Sequence, residues 1–208
     1  MLFRSKELLG LASGCLPSVD SMLDGWRGFG VLAAEPGIGK TTLMLQVGLG
    51  IVQTNPHACF VLVSLEMDRQ TMLHRMVCQV SGLPIGSLRK GSSGAGAGED
   101  GLRFDRDARK TYEAGMRSLR ACATRIDLLD MQSVPLGLAV EDMADWLAAR
   151  VRKVKAQTGC SAAFVAIDHL SLIPLGLQGS ATALDRDDAR VMMALRAQRT
   201  LGDPVFVI

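Results

Sequence analysis

Residues 33–42, Ala33-Ala34-Glu35-Pro36-Gly37-Ile38-Gly39-Lys40-Thr41-Thr42, constrain this chain more than any other stretch. Ahead of them, 29–33 are apolar and predict a short strand. Behind them, Leu43, Leu45, Val47 and Leu49 begin a helix. Strand, glycine-bearing loop, Lys-Thr and helix is the arrangement that holds a nucleoside triphosphate. The loop amides converge on the β-phosphate, and the helix N-terminus adds its partial positive charge. Lys40 is placed to reach the β- and γ-phosphates, and the Thr41 hydroxyl to ligate Mg²⁺. The spacing is A-x-x-x-x-G-K-T, with Ala34 where the common pattern has its first glycine. Glu35, Pro36, Gly37, Ile38, Gly39, Lys40, Thr41 and Thr42 are therefore the candidate ATP-binding residues. The competing reading is a glycine-rich turn that only joins a strand to a helix; the context on both sides favours the nucleotide.

Composition sets the outer limits. The 208 residues are enough for one α/β domain with a sizeable core, and 48% hydrophobic with 21% charged residues argues against disorder. A net charge of +2 carries no global basic signal, so any nucleic-acid contact would come from local patches or from an assembled oligomer. No apolar run approaches the ~18–20 residues that span a bilayer. The N-terminal residues carry Arg4, Lys6 and Glu7 and lack an export signal, which points to a cytoplasmic protein. The 5 cysteines are odd in number and have no C-x-x-C spacing, as expected of reduced thiols. His57, His74 and His169 are scattered and do not suggest a metal site.

Along the chain, a short helix is predicted over 16–23 and the nucleotide-loop helix over 40–54, stopped by Asn55-Pro56. Residues 58–65 form a continuous apolar run without alternation, the pattern of a strand buried on both faces. Asp68 can cap a helix whose apolar face is Met72, Leu73, Met76, Val77 and Val80. A single turn of helix is predicted near 85–88. The glycine-rich 91–101 reads as a mobile surface loop. Residues 105–121 read as a mixed-charge, largely solvated helix, and 125–130 as a strand of alternating character. Val140, Met143, Ala144, Leu147, Val151 and Val154 follow helical spacing, closed by Gly159. Residues 162–168 form a second buried strand, 184–201 a helix and 204–208 a further strand. This alternation predicts a mostly parallel sheet with helices on both faces.

In an open parallel sheet, ligands sit at the carboxyl ends of the strands. There the 58–65 run ends in Glu66 and the 162–168 run in Asp168. Asp168, after Phe164, Val165, Ala166 and Ile167, is placed to hold Mg²⁺ through a water, and a capping aspartate is the alternative. His169 follows it in place of a second acid, so the group that orients an attacking water must come from elsewhere. Glu66 is the candidate, against the alternative of a helix-dipole charge.

With these residues in place, the chain resembles DnaB-type replicative helicases. Ser64-Leu65-Glu66-Met67, followed by a helix with His74-Arg75-Met76, is similar to that family's S-L-E-M segment. Leu16-Pro17-Ser18-Val19-Asp20-Ser21-Met22-Leu23 resembles the segment leading into its nucleotide-loop strand, and Ser87-Leu88-Arg89-Lys90-Gly91 a later short motif. Ala166-Ile167-Asp168-His169-Leu170-Ser171-Leu172-Ile173 resembles its I-D-Y-L-Q-L-I strand, with His for Tyr. The match runs over 14–208, with 1–13 as an N-terminal segment. The resemblance implies a three-layer RecA-like P-loop fold and a homo-hexameric ATPase that moves along single-stranded DNA in replication, with a primase or helicase loader as partner. It also implies Lys40 and Thr41 for phosphate and Mg²⁺, Glu66 as catalytic glutamate and Asp168 as the Walker B aspartate. Lys40 and Glu66 are thus the candidate catalytic residues, Thr41 and Asp168 the candidate metal residues.

The family's primase-interacting domain does not precede the loop here. Its γ-phosphate sensor, DNA-binding loops and arginine finger would follow Ile208. The sequence therefore predicts a chain incomplete at its C-terminal end, with the last strand left as an open edge and apolar surface uncovered. Other readings stay open: another RecA-like ATPase of recombination or regulation, a P-loop small-molecule kinase, or a truncated domain that binds nucleotide without unwinding DNA.

Overall fold

A computed structural model describes residues 8–87, 89–90, 102–103, 106–136, 138–173 and 182–208. In chain order the elements are α1 (Pro17–Leu23), β1 (Phe29–Val31), α2 (Lys40–Thr54), β2 (Ala58–Ser64), α3 (Arg69–Ser81) and a 3-10 turn at Ile85–Ser87. Next come β3 (Arg89–Lys90), β4 (Leu102–Arg103), α4 (Arg106–Arg120) and β5 (Ile126–Leu129). The remainder is α5 (Val140–Thr158), β6 (Ala162–Asp168), α6 (Ala183–Leu201) and β7 (Val205–Val207). Five strands form one parallel sheet in the order β1-β7-β6-β2-β5. The antiparallel β3–β4 pair stands apart from it and had no clear sequence signal.

The apolar runs without alternation sit at the centre because both faces of the sheet are covered. β2 is buried at every residue. Its side chains alternate across the pleat: Phe60 and Leu62 enter one core with α2, α3 and α4, while Cys59, Val61 and Val63 enter the other with α5 and α6. β6 divides in the same way, with Phe164 and Ala166 on the first face and Val165 and Ile167 on the second. Close packing makes size critical at this interface. A Cβ added at Gly48 of α2 would lie 2.4 Å from the Phe60 ring, so α2 approaches β2 only because that position carries no side chain.

Helix ends follow the sequence signals. Asp68 accepts from the Thr71 amide at the start of α3, and Thr182 and Asp185 form a reciprocal capping box on α6. α5 buries Val140, Met143, Ala144, Leu147, Val151 and Val154 along the predicted stripe.

Two expectations are revised and one is refined. The helix over 105–121 is largely solvated, as expected, but α4 also buries Tyr112 and Leu119 in the core shared with α3. Its charged residues outnumber the apolar ones, which hides a narrow packing stripe. β5 does not alternate, since Leu128 and Leu129 are consecutive and both buried, one in each core. The last strand is not an edge. β7 inserts between β1 and β6, pairing with both, and its Val205 and Val207 are buried; the sheet edges are β1 and β5. Order in a parallel sheet depends on crossover connections, not on chain position. The glycine-rich 91–101 stretch lies outside the described residues.

One buried carboxylate ties the entry segment to the domain. Asp20 in α1 accepts from the Ser13 amide at 3.0 Å, the Ser13 hydroxyl at 2.7 Å, the Gly14 amide at 2.9 Å and Trp26 Nε1 at 2.8 Å. Trp26 in turn packs against Phe164 and Phe206. Leu11 pairs with Trp26 in an isolated antiparallel bridge, so Leu11 and Ser13 are buried with the domain. Burial alone would push the Asp20 carboxyl up, but the bonds from Ser13, Gly14 and Trp26 outweigh it and hold it below its usual value. Asp20→Ala should destabilise the protein by about 2–4 kcal/mol in denaturant titration, because it strands several buried donors at once. A carboxyl with a lowered native pKa stabilises above its unfolded-state value, so the gap between native protein and variant should close as the pH falls through the acid range.

Candidate nucleotide site

The carboxyl ends of β1, β6 and β2 converge on one edge of the sheet. The register pairs Ser64 with Asp168 and Val31 with Val207, so the chain leaves β1 into the loop, β2 into Glu66 and β6 into Asp168 at the same level. Leu65 donates its amide to the Asp168 carbonyl, continuing the ladder one step past β2.

The loop itself is shaped by Gly37 (φ 80) and Gly39 (φ 104), both in the left-handed region. A side chain there would be strained even though open space surrounds each position. Gly39 is also the N-cap of α2. Unlike α3 and α6, this helix has no capping side chain. Its first-turn amides are therefore left to whatever occupies the loop. Lys40 lies across the loop, its Nζ donating to the carbonyls of Ala34 at 2.8 Å and Glu35 at 3.0 Å. Glu35, Pro36 and Ile38 are exposed on the loop, and Ile38 is 70% exposed.

Asp168 is 1% exposed, and the Thr41 hydroxyl is among the groups that act on its carboxylate. Its Oδ2 has no hydrogen-bond partner among the described residues. Burial pushes the Asp168 carboxyl above the usual carboxylate range; the Thr41 bond opposes this, the Glu66 charge adds to it, and Lys40 works against it. Lys40, Thr41 and Glu66 thus all act on Asp168, although it lies far from them in sequence. Glu66 itself is exposed at the rim. His169, joined to Asp168 by a cis peptide, turns aside: Ser171 donates its backbone amide to Nδ1 at 3.3 Å, and the Ser171 hydroxyl lies 2.6 Å from the same nitrogen.

The buried, half-satisfied carboxylate and the uncapped helix fit an anion with an accompanying cation. Among the described residues no group of three His, Cys, Asp or Glu side chains could hold a metal alone. A divalent ion here would rest on Thr41, Asp168 and the oxygens of its own anion, the sparse protein coordination typical of Mg²⁺.

Two residues beside the loop lacked a sequence-level role. Arg75 Nη1 donates to the Thr42 hydroxyl at 3.2 Å, and Gln79 Nε2 to the Thr42 carbonyl at 2.7 Å. Their spacing of four on α3 was the available signal, since it puts both on one helix face.

Comparison with known proteins bears on the family and the fold. The family described as the DnaB-like helicase C-terminal domain matches residues 10–197. No curated protein matches the sequence. Among solved structures, a DnaB-like replicative helicase described with its interactions with primase aligns at a TM-score of 0.74 and 18% identity, covering 98% of this chain and 44% of that one. A structure described as an ATPase domain aligns at 0.74 and 18% identity, covering 98% of this chain and 64% of that one. The chain thus spans less than half of the first relative. At this identity the likeness establishes the fold, a three-layer α/β core with a parallel sheet between helical layers.

The raised Asp168 carboxyl has a consequence for stability. Above the unfolded-state pKa the unfolded chain releases a proton more readily than the native one, so this group costs stability at neutral pH. Asp168→Asn should raise the thermal midpoint at pH 7 by roughly 2–5 °C without added nucleotide, and the gain should shrink as the pH falls through the carboxylate range and vanish below about pH 3, where the carboxyl is protonated in both states. Differential scanning calorimetry across that range checks both the sign and the window.

Proposed function

The chain belongs to the DnaB-like helicase C-terminal domain family, and from that premise we propose that it is the ATP-binding and ATP-hydrolysing motor portion of a DnaB-like helicase. The observation that carries the proposal is the convergence of the left-handed glycine loop after β1, Glu66 after β2 and the buried Asp168 at the end of β6 on one edge of the sheet. Glu35, Pro36, Gly37, Ile38, Gly39, Lys40, Thr41 and Thr42 surround the β- and γ-phosphates. The ammonium of Lys40 exchanges its loop carbonyls for phosphate oxygens, a charge-assisted bond stronger than the ones it leaves. Thr41 and Asp168 would hold Mg²⁺, Asp168 through a water; the ion would supply charge neutralisation at the phosphates. Glu66, exposed at the rim beside Asp168, orients the attacking water and accepts its proton.

Single-stranded DNA as the track, a homo-hexameric ring and a primase or loader as partner extend this reading to the whole assembly. Family membership supports them, and one structurally similar helicase is described with its interactions with primase. A cytoplasmic location agrees with the helices of the described residues, none of which is long and apolar enough to cross a membrane.

Binding and turnover separate the roles. Lys40→Ala should weaken Mg-ATP binding by at least ~100-fold in calorimetric titration. Glu66→Gln should bind within a factor of about three of the native chain yet lose ~10²–10⁴ in hydrolysis wherever the native assembly hydrolyses ATP. Undiminished binding by Lys40→Ala would remove the loop from the mechanism.

A further inference from the structure

β2 ends on a hydroxyl that its core does not need. Ser64 is fully buried at the end of a strand whose other residues are all apolar, and a buried hydroxyl costs stability unless it is bonded. Its Oγ accepts the Met67 amide at 3.0 Å and so closes a turn around Leu65 and Glu66. Alternate amides along the segment that carries Glu66 are all anchored. Leu65 donates to the Asp168 carbonyl at 2.6 Å and Met67 to Ser64, while Arg69 donates to Asp130 Oδ2 at 3.2 Å and Thr71 to Asp68 Oδ1 at 2.8 Å. Of these acceptors, Ser64 is the side chain that belongs to the central sheet.

The register carries the same serine to the buried carboxylate. Ser64 pairs with Asp168, and the alternation of the pleat puts both on the face of Phe60, Leu62, Phe164 and Ala166, towards α2. The Glu66 charge acts on that carboxylate from just beyond the strand end. Resting on the reading of Glu66 as the group that orients the attacking water, we propose that Ser64 is its positioning residue: the bond from the Met67 amide to Ser64 holds the Glu66 turn over Asp168. Ser64 acts through Glu66 and not on the nucleotide. Without the hydroxyl the Met67 amide is released and the Glu66 turn moves outward, while the phosphate loop and Asp168 keep their places. Such a displacement matters because a shift of ~1 Å at a reacting group costs about 10²-fold in rate. If Ser64 only completes the strand end, the direction of Glu66 is indifferent to it.

Mn²⁺ with ADP, in place of Mg²⁺ with ATP, makes this geometry visible without turnover, because Mn²⁺ takes the same oxygen ligands and broadens the NMR signals of nuclei close to it. The signal to follow is the side-chain carboxyl carbon of Glu66 in the 208-residue chain labelled at glutamate, identified by its disappearance in Glu66→Gln. In the native chain it is expected to broaden when Mn²⁺ and ADP are added. Ser64→Ala should lose most of that broadening and cut the hydrogen-exchange protection of the Met67 amide about tenfold, yet bind Mn-ADP within about threefold of the native chain. Ser64→Thr keeps the hydroxyl and should keep both the broadening and the protection. Equal broadening of Glu66 in Ser64→Ala and the native chain, loss of Mn-ADP binding in Ser64→Ala, or loss of broadening in Ser64→Thr would overturn the proposal in favour of a serine that only supports the fold. A native Glu66 left sharp by bound Mn-ADP would remove Glu66 from the ion, and its assigned role would fall together with this inference. Failure of the native chain to bind Mn-ADP at all would overturn the loop reading on which both rest.

Discussion

The seven-residue parallel pairing of β2 with β6 is the constraint on which the rest of the molecule depends. Both strands are buried on both faces, so their register is set by two cores at once; a shift of one residue would move every side chain to the opposite layer. With the register fixed, Ser64 lies opposite Asp168, and Glu66 stands just beyond it on the same edge. β7 then completes the link to β1 and so to the loop. The site is a property of this alignment. None of its four central residues is near another in sequence except Lys40 and Thr41.

The same edge carries the polar groups that a stable fold would otherwise satisfy. α2 starts without a capping side chain, whereas α3 and α6 are capped from within. Among the described residues, one oxygen of the buried Asp168 has no hydrogen-bond partner, and neither has Arg75 Nε or Gln79 Oε1. At the opposite end of the sheet the pattern reverses. Lys155 and Asp203 pair at 2.8 Å, and Asp203 also accepts from the Ala163 amide, so that a buried charge there is fully engaged. The contrast follows the usual division in α/β folds, in which the carboxyl edge serves ligands and the amino edge serves stability.

The legible parts of the sequence were those with a strong local pattern. The loop, the long amphipathic face of α5, the unbroken runs of β2 and β6 and the stops at Gly159 and Gly202 all depend on spacing within one element. What misled was partner-dependent. α4 hides a buried stripe of Tyr112 and Leu119 among charges, and β5 buries Leu128 and Leu129 in succession because each meets a different helical layer. The last strand reads as an edge by chain position yet lies inside the sheet. At the site, Asp168 and Glu66 were identifiable as acids ending apolar runs, but Gln79 was not, since nothing about a glutamine on a helix indicates what it faces.

By itself the sequence determined the elements and the position of the glycine-bearing loop between β1 and α2, because periodicity, caps and glycines act over a few residues. Only the tertiary structure decided the strand order, the burial of Asp168 against Thr41, and the placement of Arg75 and Gln79 on Thr42. Those depend on which crossovers bring distant segments into register and on which atoms are left dry when the layers close. Desolvation and unpaired hydrogen-bonding groups arise only once the chain is packed.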